Sequence, residues 1–213
     1  LQKKNDFALV NKNFKKIFKK NKYLSKLIPI KFDNYEKIKS KIKNNYLKSK
    51  TNDENMNFVY ALSRLLKINK NSFIRSMSSF SGLPHRYEIF LKKKGVTFIN
   101  DSKATSFQAT KFALSSSKNI YWILGGLPKE KDRINLRHIK SNVIKSYIIG
   151  NNINFFKKQL RNKIKFSVKK KLKNAIISAL KAIQRSKKDH NTILLSPGAA
   201  SFDQFKNFEH RGE

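Results

Sequence analysis

Apolar positions recur at helical spacing through much of the first eighty residues, then fall into short runs that alternate with helical segments. Residues 7–10 form a short apolar run, and residues 27–32 form another with Pro29 inside it, so both are strand candidates. A Lys-rich helical stretch over 14–22 is expected between them. Met56, Val59, Tyr60, Leu62, Leu65 and Leu66 repeat with the period of a helix, which predicts one over 52–66. Phe73, Ile74, Met77 and Phe80 predict a second over 71–80. Ser81-Gly82-Leu83-Pro84 should end it, because Gly suits a helix C-cap and Pro cannot continue a helix. A domain boundary is expected there, giving segments 1–83 and 84–213.

Beyond Pro84 the expected order is a hairpin (87–91 and 96–99, turning at Lys94-Gly95), a helix over 106–114 and a buried strand over 120–124. A short helix over 136–143 should follow, then a strand over 146–149, a helix over 153–160 and a strand over 164–168. An amphipathic helix over 172–183, a strand over 192–195 and a last helix from about Ser201 complete the series. Strands alternating with helices of this length predict an α/β fold, Rossmann-like, with a mostly parallel sheet covered on both faces.

Composition narrows the function without naming it. No apolar run approaches the ~20 residues that span a bilayer, so no membrane insertion is expected. The chain has no Cys, which removes disulfides, thiolate metal sites and a thiol nucleophile. His138, His190 and His210 lack metal-ligand spacing. The expectation is a soluble, cytoplasmic protein. The 48 Lys and Arg against 13 Asp and Glu give a formal charge of +35, which ordinarily suggests a polyanion partner. These cations are scattered from Lys3 to Lys206 among Asn, Ile and Phe, the residues of AT-rich codons. Charge alone therefore does not assign a nucleic-acid partner, although a basic nucleic-acid-binding module stays open as an alternative.

In such a sheet, ligands bind beyond the carboxyl ends of the strands. Three polar segments have that placement: Asn100-Asp101-Ser102-Lys103-Ala104-Thr105, Gly125-Gly126-Leu127-Pro128-Lys129, and the run from Ser196 to Asp203, which should open the last helix. Hydroxyls, lysines and backbone N–H groups at three strand ends imply a site for an anionic small molecule, a carboxylate or a phosphate.

Leu83-Pro84-His85-Arg86, the Asn100–Thr105 loop and the run Ser201-Phe202-Asp203-Gln204-Phe205-Lys206-Asn207-Phe208-Glu209-His210-Arg211-Gly212 resemble the Mur ligase family, specifically its D-glutamate-adding branch. The resemblance implies a ligase of peptidoglycan synthesis that uses ATP and Mg²⁺. ATP would phosphorylate the carboxylate of UDP-N-acetylmuramoyl-L-alanine, and the D-glutamate amine would attack the acyl phosphate. It further implies that residues 1–83 match the end of the central ATPase domain, and 84–213 the C-terminal domain that brings D-glutamate. Residue by residue, it places Asn52 and Asn55 on the adenine side of ATP, with Thr51 where the family has His. His85 and Arg86 would reach ATP from the C-terminal domain. Asp101 would be a catalytic carboxylate that contacts ATP, and Lys103 a catalytic cation beside the reacting phosphate. Thr105 and Lys129 would hold one carboxylate of D-glutamate, and Ser201, Phe202 and Phe208 the other.

The departures are equally specific. The Gly-rich loop with Lys-Ser/Thr that cradles ATP phosphates is not in this sequence, nor are the domain for the UDP portion and the family's Mg²⁺ ligands. With Leu1 at the start and Glu213 at the end, the expectation is a fragment cut at both ends, inactive as a ligase by itself, from a protein that is a monomer at full length. A sister Mur or folate-type ligase with another amino-acid substrate is the other open reading.

Overall fold

The computed structural model describes residues 3–14, 16–17, 25–30, 33–49 and 52–213. The chain forms two compact units, residues 1–81 and 82–213. The limit expected after Leu83 lies two residues beyond the one observed.

The first unit has a parallel pair, β1 (Phe7–Asn11) and β2 (Lys26–Ile30), with Val10 opposite Pro29. Among the described residues, α1 (Asp33–Lys39), α2 (Asp53–Leu65) and α3 (Lys70–Ser79) accompany it. Tyr35, Ile38, Ile42, Leu47, Met56 and Phe73 make its core. Lys39 pairs with Asp53 at 2.6 Å, tying α1 to the first turn of α2. The stripe expected on α2 behaves differently from its periodicity: Met56 is buried, but Val59, Leu62, Leu65 and Leu66 are exposed. Most of the Lys-rich stretch expected over 14–22 lies outside the described residues, as do Leu1 and Thr51.

The second unit is a six-stranded sheet in the order β3-β4-β8-β5-β6-β7. Its strands are β3 (Glu88–Lys93), β4 (Val96–Asn100), β5 (Ile120–Gly125), β6 (Val143–Ile149), β7 (Phe166–Lys170) and β8 (Asn191–Leu195). Only β3 runs antiparallel, as the outer arm of a hairpin with β4. All residues of β5 are buried, as a parallel strand with both faces covered must be. Alternation along it sends Ile120, Trp122 and Leu124 into one core and Tyr121 and Ile123 into another. Helices α4 (Phe107–Ser116) and α5 (Ile153–Leu160) contribute to the first core, and α6 (Leu172–Gln184) covers the second with Ala175 and Ala179. Ser106 caps α4, its side chain accepting from the Ala109 N–H.

Three expectations need correction. Residues 136–143 do not form the expected short helix: only Lys140–Asn142 makes a 3-10 turn, and β6 already begins at Val143. Leu136 and Ile139 are drawn into the core from an irregular segment, and Asn142 Nδ2 donates to the Leu114 carbonyl. Strand β7 starts later than expected, with Ile164 buried in the turn before it. Ser201 opens turns rather than a helix. Its carbonyl accepts from Gln204 and Phe205, and the helix α7 is confined to Phe208–Gly212, capped by the Asn207 side chain.

Candidate functional site

The strand order places β8 between β4 and β5, so the loops that leave these three strands at their carboxyl ends are neighbours. Backbone bonds sew them together. The Asp101 N–H donates to the Leu195 carbonyl at 2.7 Å, and the Gly198 N–H to the Ala104 carbonyl at 2.9 Å. The Gly125 N–H donates to Pro197, while Leu127 and Ala200 exchange bonds of 2.8 and 3.0 Å. The glycines are required here. Gly126 has φ of +134°, and a Cβ on it would run into the Ala200 carbonyl; Gly198 has φ of +64° and packs against the Phe107 ring.

A strained turn sits beside these loops. His85 and Tyr87 adopt left-handed φ values of 61° and 47° on either side of Arg86, a conformation that bulky residues rarely take. It is held by bonds from outside the turn: the Tyr87 N–H donates to Asp101 Oδ1 at 3.1 Å, and the Lys103 N–H donates to the His85 carbonyl at 3.0 Å. The His85 N–H donates to Glu88 Oε2, and the His85 ring meets Asn100 Nδ2 at 2.9 Å. The other oxygen of Asp101 accepts from Ser196 Oγ at 2.7 Å. Burial pushes the Asp101 carboxyl up to about 6, outweighing these two hydrogen bonds and the charge of Arg86, which pull it down.

Helix α7 closes the arrangement. Ser102 Oγ donates to the Phe208 carbonyl at 2.8 Å, and Lys103 Nζ stands 3.6 Å from the centre of the Phe208 ring. The Arg211 side chain is buried, at 1% exposure, beneath the loops. Its burial lowers the guanidinium to about 10, with the charge of Asp203 opposing the shift, so it stays protonated at neutral pH.

The residues named from sequence therefore fall in three situations. Asp101, Lys103, Thr105, Lys129, Ser201 and Phe208 lie on the joined loops or on α7, with Asp101 and Ser201 buried and Lys129 exposed. Phe202 is on the same loop as Ser201 but is 69% exposed. Arg86 is exposed at the strained turn, and His85 is tied into it. Asn52 and Asn55 belong to the first unit. Asn52 occupies the N-cap position of α2 without a side-chain capping bond, and its amide donates instead to the Tyr46 carbonyl and Ser49 Oγ; Asn55 is exposed.

Chemically, the loops offer cations and backbone donors around a rigid base, which suits a carboxylate or a phosphate. Among the described residues, no group of three His, Asp or Glu side chains is placed to hold a metal ion.

No protein-family model matches the chain. It is 39% identical over 186 residues to a UDP-N-acetylmuramoylalanine–D-glutamate ligase of Wolbachia sp. subsp. Brugia malayi, covering 87% of this chain and 36% of that protein. The ligase of the same name from Rhodospirillum rubrum is 40% identical over 162 residues, covering 76% and 34%. That of Rickettsia bellii is 35% identical over 215 residues, covering 100% of this chain and 47% of its own length. By sequence, the chain belongs to the UDP-N-acetylmuramoylalanine–D-glutamate ligase family. It spans between about a third and a half of the length of these curated relatives. A bifunctional folylpolyglutamate synthase/dihydrofolate synthase from Yersinia pestis aligns with a TM-score of 0.48 at 15% identity, over 68% of this chain and 36% of its own.

Within this family member, the residue that sequence reasoning passed over is Arg211. It sits inside the quoted run from Ser201 to Gly212, but an Arg amid charged neighbours reads as surface. Its helix is too short for periodicity to mark a buried face. Ser102 and Ser196 were equally silent, since nothing local says that a serine will bond across the sheet.

Proposed function

We propose that the chain is part of an ATP-dependent ligase that joins D-glutamate to UDP-N-acetylmuramoyl-L-alanine in peptidoglycan synthesis, and that residues 82–213 bring the amino acid. The observation that carries this reading is the convergence of the loops after β4, β5 and β8, on a chain 35–40% identical to ligases of that name. In the same proposal, residues 1–81 are the closing part of the ATPase domain, and the whole protein acts as a monomer.

A carboxylate is a poor electrophile, and ATP supplies the phosphoryl group that converts the acceptor's carboxyl to an acyl phosphate, from which the D-glutamate amine displaces phosphate as the amide forms. Lys103, half-buried and held over Phe208, neutralises charge at the reacting phosphate. Asp101 keeps the turn that carries Arg86 in place, and Arg86 faces solvent, where a phosphate can meet it. Asn52 and Asn55 take the adenine side. A dicarboxylate needs donors at both ends, so Thr105 and Lys129 take one carboxylate and Ser201, Phe202 and Phe208 the other. The cations present fit a polyphosphate. The described residues do not assemble a magnesium site, so no step is assigned to that ion.

Binding to this chain tests the reading directly, because turnover by these residues alone is not expected. D-Glutamate should bind saturably and L-glutamate about tenfold more weakly or less well still. Lys129→Ala, an exposed position, should weaken D-glutamate by about tenfold while leaving ATP within about twofold. Equal losses for both ligands would overturn the assignment of Lys129. Equal binding of the two enantiomers would overturn the substrate, and ADP release dependent on D-glutamate would overturn the expected inactivity.

A further inference from the structure

Arg211 belongs to a five-residue helix, yet its side chain contacts all three of the strand-end loops. Nε donates to Ser102 Oγ at 3.0 Å and one terminal nitrogen, Nη2, to the Ser102 carbonyl at 2.8 Å. The other, Nη1, donates to the Ala199 carbonyl at 3.0 Å and more distantly to Gly125 at 3.5 Å. Ser102 follows β4, Gly125 ends β5 and Ala199 follows β8. Ser102 Oγ in turn donates to the Phe208 carbonyl, which returns the network to α7.

The chemistry of this contact is unusual in one respect. Among the described residues, no carboxylate lies within ion-pair distance of the guanidinium, Asp203 acting on it only from farther away, and a buried charge without a paired counterion is costly. Carbonyl dipoles from three loops compensate it. Only a planar fork of donors in fixed directions serves several separate acceptors at once; the single ammonium of Lys, on a flexible stem, does not. The packing leaves no latitude either, since a side chain at Gly126 would also approach Arg211 Nη1 at 3.1 Å.

We propose that Arg211 is a positioning residue of the amino-acid site: its guanidinium sets the spacing of the loops after β4, β5 and β8. For the identity of the ligand, this rests on the D-glutamate reading above. Arg211 touches no ligand in this account. It acts through Ser102 and Gly125, which adjoin Lys103 and the Gly126–Lys129 segment, and through Ala199, two residues before Ser201.

Hydrogen exchange of the intact chain tests it without any ligand. The amides of Lys103, Gly125, Leu127 and Gly198 all donate between these loops or to the adjoining turn. In Arg211→Lys their exchange should rise by about tenfold or more, while Tyr147 and Ile148 in β6 keep their rates. D-Glutamate binding should weaken by about tenfold in parallel. Unchanged exchange at the four amides would overturn the proposal, and so would a rise shared equally by β6, which would mark plain loss of stability. If Arg211→Lys does not fold, Ser102→Ala decides in the same way, because it removes the Nε acceptor while keeping the guanidinium; faster exchange confined to Lys103 and Gly198 is then expected, and no local change overturns the proposal. Failure of the unsubstituted chain to bind D-glutamate would overturn the ligand reading alone, and the exchange comparison would still decide the role of Arg211.

Discussion

The two units use the same element, parallel strands with helices, under different conditions. Residues 82–213 put a helix-derived core on each face of a six-stranded sheet, and Trp122, Ile123 and Leu124 at its centre have no exposure. Among the described residues of 1–81 there is a parallel pair two strands wide, a small core and an α2 face whose Val59, Leu62, Leu65 and Leu66 stay exposed. Tyr35 Oη and Asn57 Oδ1 there are buried without a hydrogen-bond partner. Parallel pairing stabilises only when both faces are covered, so the broad sheet is the stiffer platform. The joined loops sit on that platform, which suits a site that must hold donors at fixed separations.

The largest effect should come from the centre of the second unit. Trp122 fills the core under α4 and donates from Nε1 to the Ser196 carbonyl at 2.7 Å, directly beneath the β8 loop. Trp122→Ala should cost about 3–5 kcal/mol in chemical denaturation and raise exchange through β5. A loss below about 1 kcal/mol would break the comparison.

A middle effect concerns pH. Asp101 titrates at about 6 when folded against an ordinary 3.8, so between those values the folded state binds more protons than the unfolded one. The stability carried by the protonated carboxyl is full below the lower value and is lost as pH rises through the higher one. Asp101→Asn keeps an acceptor for Tyr87 and a partner for Ser196, so it should flatten that slope and add ~1–3 kcal/mol at neutral pH. An unchanged slope across the same window, read from denaturation at several pH values, would contradict the burial argument.

The smallest effect belongs to the first unit. Leu66 is 64% exposed at the end of α2, and Leu66→Lys should change stability by no more than ~0.5 kcal/mol. A loss of about 2 kcal/mol would show that this face is covered and would erase the contrast between the units.

Much of the second unit was legible in the sequence. The alternation of short apolar runs with helical segments located β3 to β6, α4 to α6 and β8, because side-chain periodicity is a local consequence of backbone geometry. The Lys94-Gly95 turn was readable for the same reason. Periodicity was less informative on α2, where it marked an apolar stripe but not what would cover it. It misled over 136–143 and after Ser201, where packing and hydrogen bonds from distant segments override a weak helical preference.

By itself, the sequence determined the α/β class, the three polar strand-end segments and the family they resemble, since each is written in contiguous residues. Tertiary structure decided the rest. The insertion of β8 between β4 and β5 brings segments nearly a hundred residues apart into one surface, as the bond from Ser196 to Asp101 shows. The burial of Arg211 was decided in the same way, because its partners Ser102, Gly125 and Ala199 become neighbours only once the sheet is assembled. Local sequence sets which backbone shapes are cheap, whereas a buried charge is tolerated only where the completed fold supplies its acceptors.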